Sequence, residues 1–274
     1  MRLFLKILKI VGILIVALLI IVSAAIFFSG PQLPEDIDQT IDDVLQSDLP
    51  EFLKGKTGYV YPRNTKVWYE LIEPNSPTKG AILLFMGIAN DALGWPQGFI
   101  DLLVESGYQV IRYDYRGTGM SDWMPEWTQS PYSLTDLASD AKLILDTLKI
   151  KKAHLVGVSM GGMVAQEFVI HFPKRTLTLT SIMSSGNIVD KDIKGISPDI
   201  TFDLIKIGLK YGIFSTERNT IKMHIAARII LRDAADYSID VKGTARQVLY
   251  NLRKRKGYNH FSFLNHTIPA RLSL

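Results

Sequence analysis

Ser159 stands in the stretch Gly157-Val158-Ser159-Met160-Gly161, with a glycine two positions away on either side of the hydroxyl. Serine attacks an acyl carbonyl at neutral pH only when a base takes its proton and an acid orients that base. Residues 153–158 ahead of it form a largely apolar run that includes His154, and residues 161–171 behind it carry helical periodicity. The pattern G-x-S-x-G between such elements predicts a tight, strained bend that lifts the hydroxyl above a sheet, so Gly157 and Gly161 are read as the glycines of a nucleophile elbow. The helix opening at Met160 would aim its free N–H groups at a developing oxyanion. Taken without function, the same five residues make a glycine-rich turn with an incidental serine.

A second stretch, "LFMGIANDALGWP", follows the apolar run at 81–85. In an elbow architecture, the loop at this place supplies the second oxyanion donor. Ile88 is the expected donor, paired with Met160, and Gly87 would let the backbone approach closely. As an ordinary loop with a glycine at its turn, it needs no function. A third stretch, "RYDYRGTGMSD", has two glycines but neither a third nor an immediately following helix. It is therefore not a dinucleotide fingerprint. Asp114 and Arg116 are read as fixing a tight turn beside the site.

The elements that must position these residues follow from periodicity. Strands are expected at 58–61, 66–72, 81–85, 108–113, 153–158 and 177–183, and helices at 96–106, 135–148 and 161–171. "AILLF" is continuously apolar and "HLVGV" largely so, as in parallel strands covered on both faces. The two strands flanking "PRNT" suggest an antiparallel hairpin ahead of alternating β and α elements. The expected fold class is α/β, a mostly parallel sheet with helices on both faces. Residues 186–265 carry three amphipathic helical stretches and no convincing strand, and are read as a helical cap inserted into a core at 58–185. Residues 31–57 are read as an acidic spacer with a short amphipathic helix near 37–45, and residues 266–274 as the start of a further core segment.

Residues 1–30 open with Arg2, Lys6 and Lys9, and then run from Ile10 to Phe28 without a charge. Such a helix would rise about 28 Å, so it is expected to be an uncleaved transmembrane signal anchor contacting the membrane through residues 10–28. The positive flank would stay in the cytoplasm and the body would lie on the extracytoplasmic side. Net charge is +4, with positive charge gathered late in the chain, including Arg253-Lys254-Arg255-Lys256. That run lacks interleaved aromatics or a nucleic-acid motif, so it reads as a solvated loop or helix end, and no nucleic-acid partner is expected. The chain has no cysteine, which excludes disulfides, thiolate nucleophiles and cysteine metal sites.

In combination and order, "RYDYRGTGMSD", "YSLTDLASDAKLILDTL", "AHLVGVSMGGMVAQEF", "PKRTLTLTSIMSS" and "MGIANDALGWP" resemble the α/β-hydrolase superfamily. They are most similar to its small-molecule esterases of the aclacinomycin-methylesterase-like group. The resemblance runs from Lys66 to about Leu252. It implies a nucleophile at Ser159, oxyanion amides at Ile88 and Met160, a small-molecule ester substrate under a helical cap, and neither metal nor organic cofactor.

The resemblance also implies an acid and then a histidine after the cap, but there the sequence continues only with "NHTIPARLSL". His154 opens the nucleophile strand at the end away from the elbow, roughly 15 Å off by strand rise. His171 lies near the far end of the following helix, about 18 Å away. His224 falls on a cap helix, and His260 and His266 fall in the tail. The catalytic histidine is left unassigned, and Asp190, after the sixth strand, is only a fallback acid. The sequence is therefore read as a serine hydrolase truncated before its last two strands, with an uncovered sheet edge at Leu177, Leu179 and Ile182. The alternative is a non-catalytic ligand-binding protein of the same fold. Oligomeric state is not legible.

Overall fold

The computed structural model describes residues 2–28, 31–123, 132–186, 197–232, 238–259 and 266–267. In chain order the elements are α1 (Arg2–Phe28), α2 (Ile37–Gln46), β1 (Lys56–Val60), β2 (Val67–Ile72), β3 (Ala81–Phe85), α3 (Gln97–Glu105), β4 (Gln109–Tyr113), β5 (Tyr132–Ser133), α4 (Leu134–Thr147), β6 (Ala153–Val158), α5 (Met160–His171), β7 (Thr176–Ile182), α6 (Pro198–Gly212), α7 (Glu217–Leu231), α8 (Val241–Lys254) and β8 (His266–Thr267). The chain divides into two compact units. One comprises Met1–Leu49 with Lys194–Leu249, and the other Pro50–Ile193 with Tyr250–Leu274.

The second unit carries a six-stranded sheet in the order β1-β2-β4-β3-β6-β7. β1 pairs antiparallel with β2, and β2 antiparallel with β4, so the expected hairpin forms. The pairs β3–β4, β3–β6 and β6–β7 are parallel. β3 shows why an unbroken apolar run suits this place. Leu83 and Phe85 join a core with Leu137, Ile144, Val164 and Phe168 of α4 and α5. Ile82 and Leu84 face the other way, into a core with Trp95 and Ile100 of the α3 side. Each such side chain contributes about 1.5–3 kcal/mol when taken from water, which holds the strand from both faces. Helix α4 starts on a capping box in which the Ser133 hydroxyl accepts from the Asp136 amide and the Asp136 carboxylate accepts from the Ser133 amide. β7 is one of the two outer strands of the described sheet, with Leu177 and Leu179 47% and 38% exposed. A second, two-residue parallel ladder joins β5 to β8 and was not foreseen.

The first unit holds the acidic segment after residue 30. There α2 buries Ile37, Ile41 and Val44 on one stripe. On its polar side Asp38 and Asp42, one turn apart, both pair with Arg218 of α7, and Asp38 also pairs with Lys222 at 2.7 Å. The carboxylates that lack basic neighbours in sequence thus find their cations on a distant helix.

The expected transmembrane anchor is corrected. Among the described residues, no helix is long and apolar enough to cross a membrane. Helix α1 covers Arg2–Phe28 and is among the helices to which this applies. The membrane contact through residues 10–28, the signal-anchor reading and the extracytoplasmic placement of the body all rested on that anchor and are withdrawn with it.

Candidate active site

The bend between β6 and α5 carries Ser159 at φ 54°, ψ −126°. Left-handed φ in a non-glycine residue costs on the order of 1–3 kcal/mol and persists only where the surroundings impose it. Here they do so at both ends. The Ser159 amide donates to the carbonyl of Ile182 at 2.9 Å, extending the β6–β7 pairing by one residue, and the Ser159 carbonyl accepts from the Gly162 amide at 2.9 Å. Three glycines make room for the bend. A Cβ on Gly157 would lie 2.3 Å from the carbonyl oxygen of Gly161, one on Gly161 would lie 2.1 Å from that of Phe85, and one on Gly162 would lie 2.5 Å from the Cβ of Ser184. The sequence reading named the first two; the third serves the end of β7. Ser159 itself is half-buried.

Gly87 follows β3 by two residues and lies directly against the serine. A Cβ built there would sit 3.5 Å from the Ser159 Cβ and 4.0 Å from its Oγ. That is ordinary contact, so a methyl group fits against the serine at Gly87. Ile88, the next residue, is half-buried against the α4–α5 core. Among the described residues, neither the Ile88 amide nor the Met160 amide, first in α5, donates a hydrogen bond. For Met160 this is the ordinary condition of a helix's first turn.

Past Ile88, the loop is held by two carboxylates. Asp91 accepts from the Leu93 amide at 2.9 Å, and its carbonyl accepts from the Gly94 amide at 2.9 Å, closing a 3₁₀ turn over Ala92–Gly94. Asp114, just beyond β4, accepts from the Ala92 amide at 2.8 Å through Oδ1 and from the Met120 amide at 2.8 Å through Oδ2. Gly119 turns at φ 49° where a Cβ would strike Asp114 Oδ2 at 2.2 Å. The hydroxyl of Ser121 donates to the Asp114 carbonyl at 2.7 Å and accepts from the Trp68 amide at 2.9 Å. Arg116 forms a fork to Asp140 of α4, with both contacts at 2.6 Å. The "DYRG" segment therefore ties the turn after β4 to the loop after β3 and to α4.

A residue the sequence reading passed over completes this arrangement. Arg255, inside the basic run taken as solvated, has a side chain only 2% exposed. Its Nη1 lies 3.2 Å from Asp91 Oδ2, its Nη2 donates to Asp114 Oδ2, and its guanidinium carbon stands 4.7 Å from the centre of the Trp68 ring. Burial pushes the Asp91 carboxyl up to about 6, with Arg255 opposing the rise and the Asp114 charge adding to it. Nothing in the local sequence marks Arg255. Its acidic partners lie 141 and 164 residues earlier, and periodicity carries no information over such distances.

His154 and His171 have partners of their own. His154 Nδ1 is 2.8 Å from the Thr178 hydroxyl, and His171 Nε2 is 3.1 Å from Glu167. His224 belongs to α7 in the other unit. Asp190 and His260 lie outside the described residues, as does the side chain of His266. A surface cleft of about 360 Å³ lined by Leu145, Asp146, Lys149, Ile150, Lys151 and Arg175 lies at the opposite end of β6 from Ser159. Its Arg175 is committed to Asp146 and to the carbonyls of Ile150 and Lys151.

The family model described as alpha/beta hydrolase fold matches residues 80–214, the span holding Gly87, Ile88 and the elbow. Among curated proteins, the chain is 38% identical over 116 residues to rhodomycin D methylesterase DnrP of Streptomyces peucetius, covering 42% of this chain and 39% of that one. It is 33% identical over 121 residues to 3-oxoadipate enol-lactonase 1 of Acinetobacter baylyi, covering 44% and 43%. The chain thus spans about two fifths of the length of these relatives. A crystallised carboxylesterase of Nitrososphaera gargenis superposes with a TM-score of 0.54 at 20% identity, covering 77% of this chain and 73% of its own. That likeness shows a shared fold.

Proposed function

We propose that this chain, which belongs to the α/β-hydrolase superfamily, is a serine hydrolase acting on the carboxylic ester of a small molecule. The observation that supports this reading most is the backbone of Ser159, held at φ 54°, ψ −126° between β6 and α5. Strained backbone clusters at functional sites, and a serine so held at a strand-to-helix bend is the arrangement of a nucleophile. The names of the relatives, a methylesterase and an enol-lactonase, agree with acyl transfer to water.

In this reading, Ser159 Oγ attacks the acyl carbon, and the carbonyl oxygen gains charge. The amides of Met160 and Ile88, which bond to nothing among the described residues, receive that oxyanion. Loss of one such donor slows acyl transfer about 10²–10³-fold. The alcohol departs, and water then releases the acyl group from the serine. The proton on Oγ passes to a general base, which returns it to the departing alcohol.

Labelling with a fluorophosphonate probe tests the proposal. Modification of Ser159, together with hydrolysis of a short-chain nitrophenyl ester that is lost in Ser159→Ala, is expected. Folded chain that neither labels at Ser159 nor hydrolyses any ester in a panel overturns it. Ligand-dependent stabilisation unchanged by Ser159→Ala, without turnover, would mark a binding protein instead.

A further inference from the structure

We propose that Arg255 is a positioning residue for the oxyanion loop, its guanidinium clamping Asp91 and Asp114 so that the backbone at Ile88 is held against Ser159. This inference rests on the functional reading above for its catalytic consequence, and on the structure alone for the clamp. Asp91 comes three residues after Ile88, and its side chain and carbonyl both close the turn that ends the loop. Asp114 grips the same turn through the Ala92 amide at 2.8 Å. The two carboxylates are 3% and 0% exposed and converge on one cation.

With Arg255 in place, attraction to a shared partner draws the loop toward the turn after β4. Without it, the two buried carboxyls have no shared cation: they repel where both are charged, or Asp91 takes up a proton. Either way the attraction that drew the loop in is gone, and the loop is the side free to retreat. Asp114 is also held from outside the loop, its Oδ2 accepting from the Met120 amide and its carbonyl from the Ser121 hydroxyl. Asp91 holds only its own turn. Retreat of Asp91 carries Ile88 away from Ser159, and that is how a residue outside the reacting atoms would govern the chemical step. The guanidinium also stands over the Trp68 ring, and a lysine ammonium cannot reproduce its planar, multi-donor geometry.

The test compares wild type with Arg255→Lys and Arg255→Met in the full chain. Amide hydrogen exchange across residues 86–95 should quicken at least tenfold in Arg255→Met, with β6 and α5 unchanged, and by less in Arg255→Lys. In ester hydrolysis kcat should fall about 10–100-fold in Arg255→Met with KM within twofold, and Arg255→Lys should recover part of the loss. Should Arg255→Met fail to fold, Arg255→Lys carries both readouts. Unchanged exchange in residues 86–95, or a loss confined to KM, overturns the proposal. A wild-type chain that never labels at Ser159 overturns the functional reading while the exchange data still decide the clamp.

Discussion

Gly161 passes so close to Phe85 that a methyl group on it would stand 2.1 Å from the Phe85 carbonyl oxygen and 2.6 Å from that of Met86. The start of α5 is thereby pressed against the end of β3, the strand that leads into Gly87. The two halves of the proposed oxyanion hole are adjacent because nothing larger than hydrogen separates these backbones.

Gly161→Ala should therefore be severely destabilising, although alanine is the better helix former by about 1 kcal/mol. The obstacle is backbone on both sides, which cannot rotate away as a flexible side chain would. A loss of more than about 3 kcal/mol is expected in denaturant unfolding, within the range seen for overpacked interiors and strained backbone together. Gly98, whose Cβ would meet nothing within 4 Å, is the control position. Gly98→Ala should leave stability unchanged or slightly raised. Equal effects at the two glycines would show that the contact at Phe85 is not as tight as described.

Ser159 offers a separate measure of the strain. Replacement by alanine removes the hydroxyl and leaves a Cβ at φ 54°; replacement by glycine removes both. Glycine relieves left-handed strain of about 1–2 kcal/mol and gives back part of it as greater freedom of the unfolded chain. Ser159→Gly is thus expected to be about 1 kcal/mol more stable than Ser159→Ala, with both devoid of ester hydrolysis. If alanine proves the more stable of the two, the elbow is relaxed and the argument from strain fails.

The parts of this fold that local pattern controls were legible in the sequence. β3 falls where "AILLF" places it, because a strand buried on both faces must be apolar at every position, and β6 falls on "AHLVGV", where alternate residues are buried. The bend at Ser159 was legible because its steric demand selects glycine at fixed offsets. What escaped detection depends on distant partners or on too few residues. Arg255 reads as one more cation in a basic run until the fold brings Asp91 and Asp114 to it. The β5–β8 ladder is two residues long, too short to carry a period. The acids of α2 looked like a spacer because their partners Arg218 and Lys222 lie on α7. The membrane reading of residues 10–28 is overturned by the finding that no helix among the described residues is long and apolar enough to cross a membrane.

Asp91 gives the stability of the chain a pH dependence opposite to that of an ordinary paired carboxylate. Its carboxyl, normally at 3.8, stands at about 6 in the fold, because burial outweighs Arg255 and Asp114 adds repulsion, with Arg112 a smaller favourable charge. Below pH 3.8 folded and unfolded chains both carry the proton, and above about 6 neither does. Between these values the folded chain holds a proton that the unfolded chain has released. This contribution is therefore complete at the acid end and lost as pH rises through about 6, at no more than roughly 1.4 kcal/mol per pH unit. Asp91→Asn keeps the acceptor for the Leu93 amide and removes the titration. Subtracting its unfolding free energy from that of the wild type cancels the carboxylates that do not interact with Asp91, among them Asp140, which burial also raises to about 6 against the pull of Arg116. The difference should move against the wild type as pH climbs from 4 to 6 and level off above. A difference that instead favours the wild type with rising pH would mean that Arg255 keeps Asp91 ionised throughout.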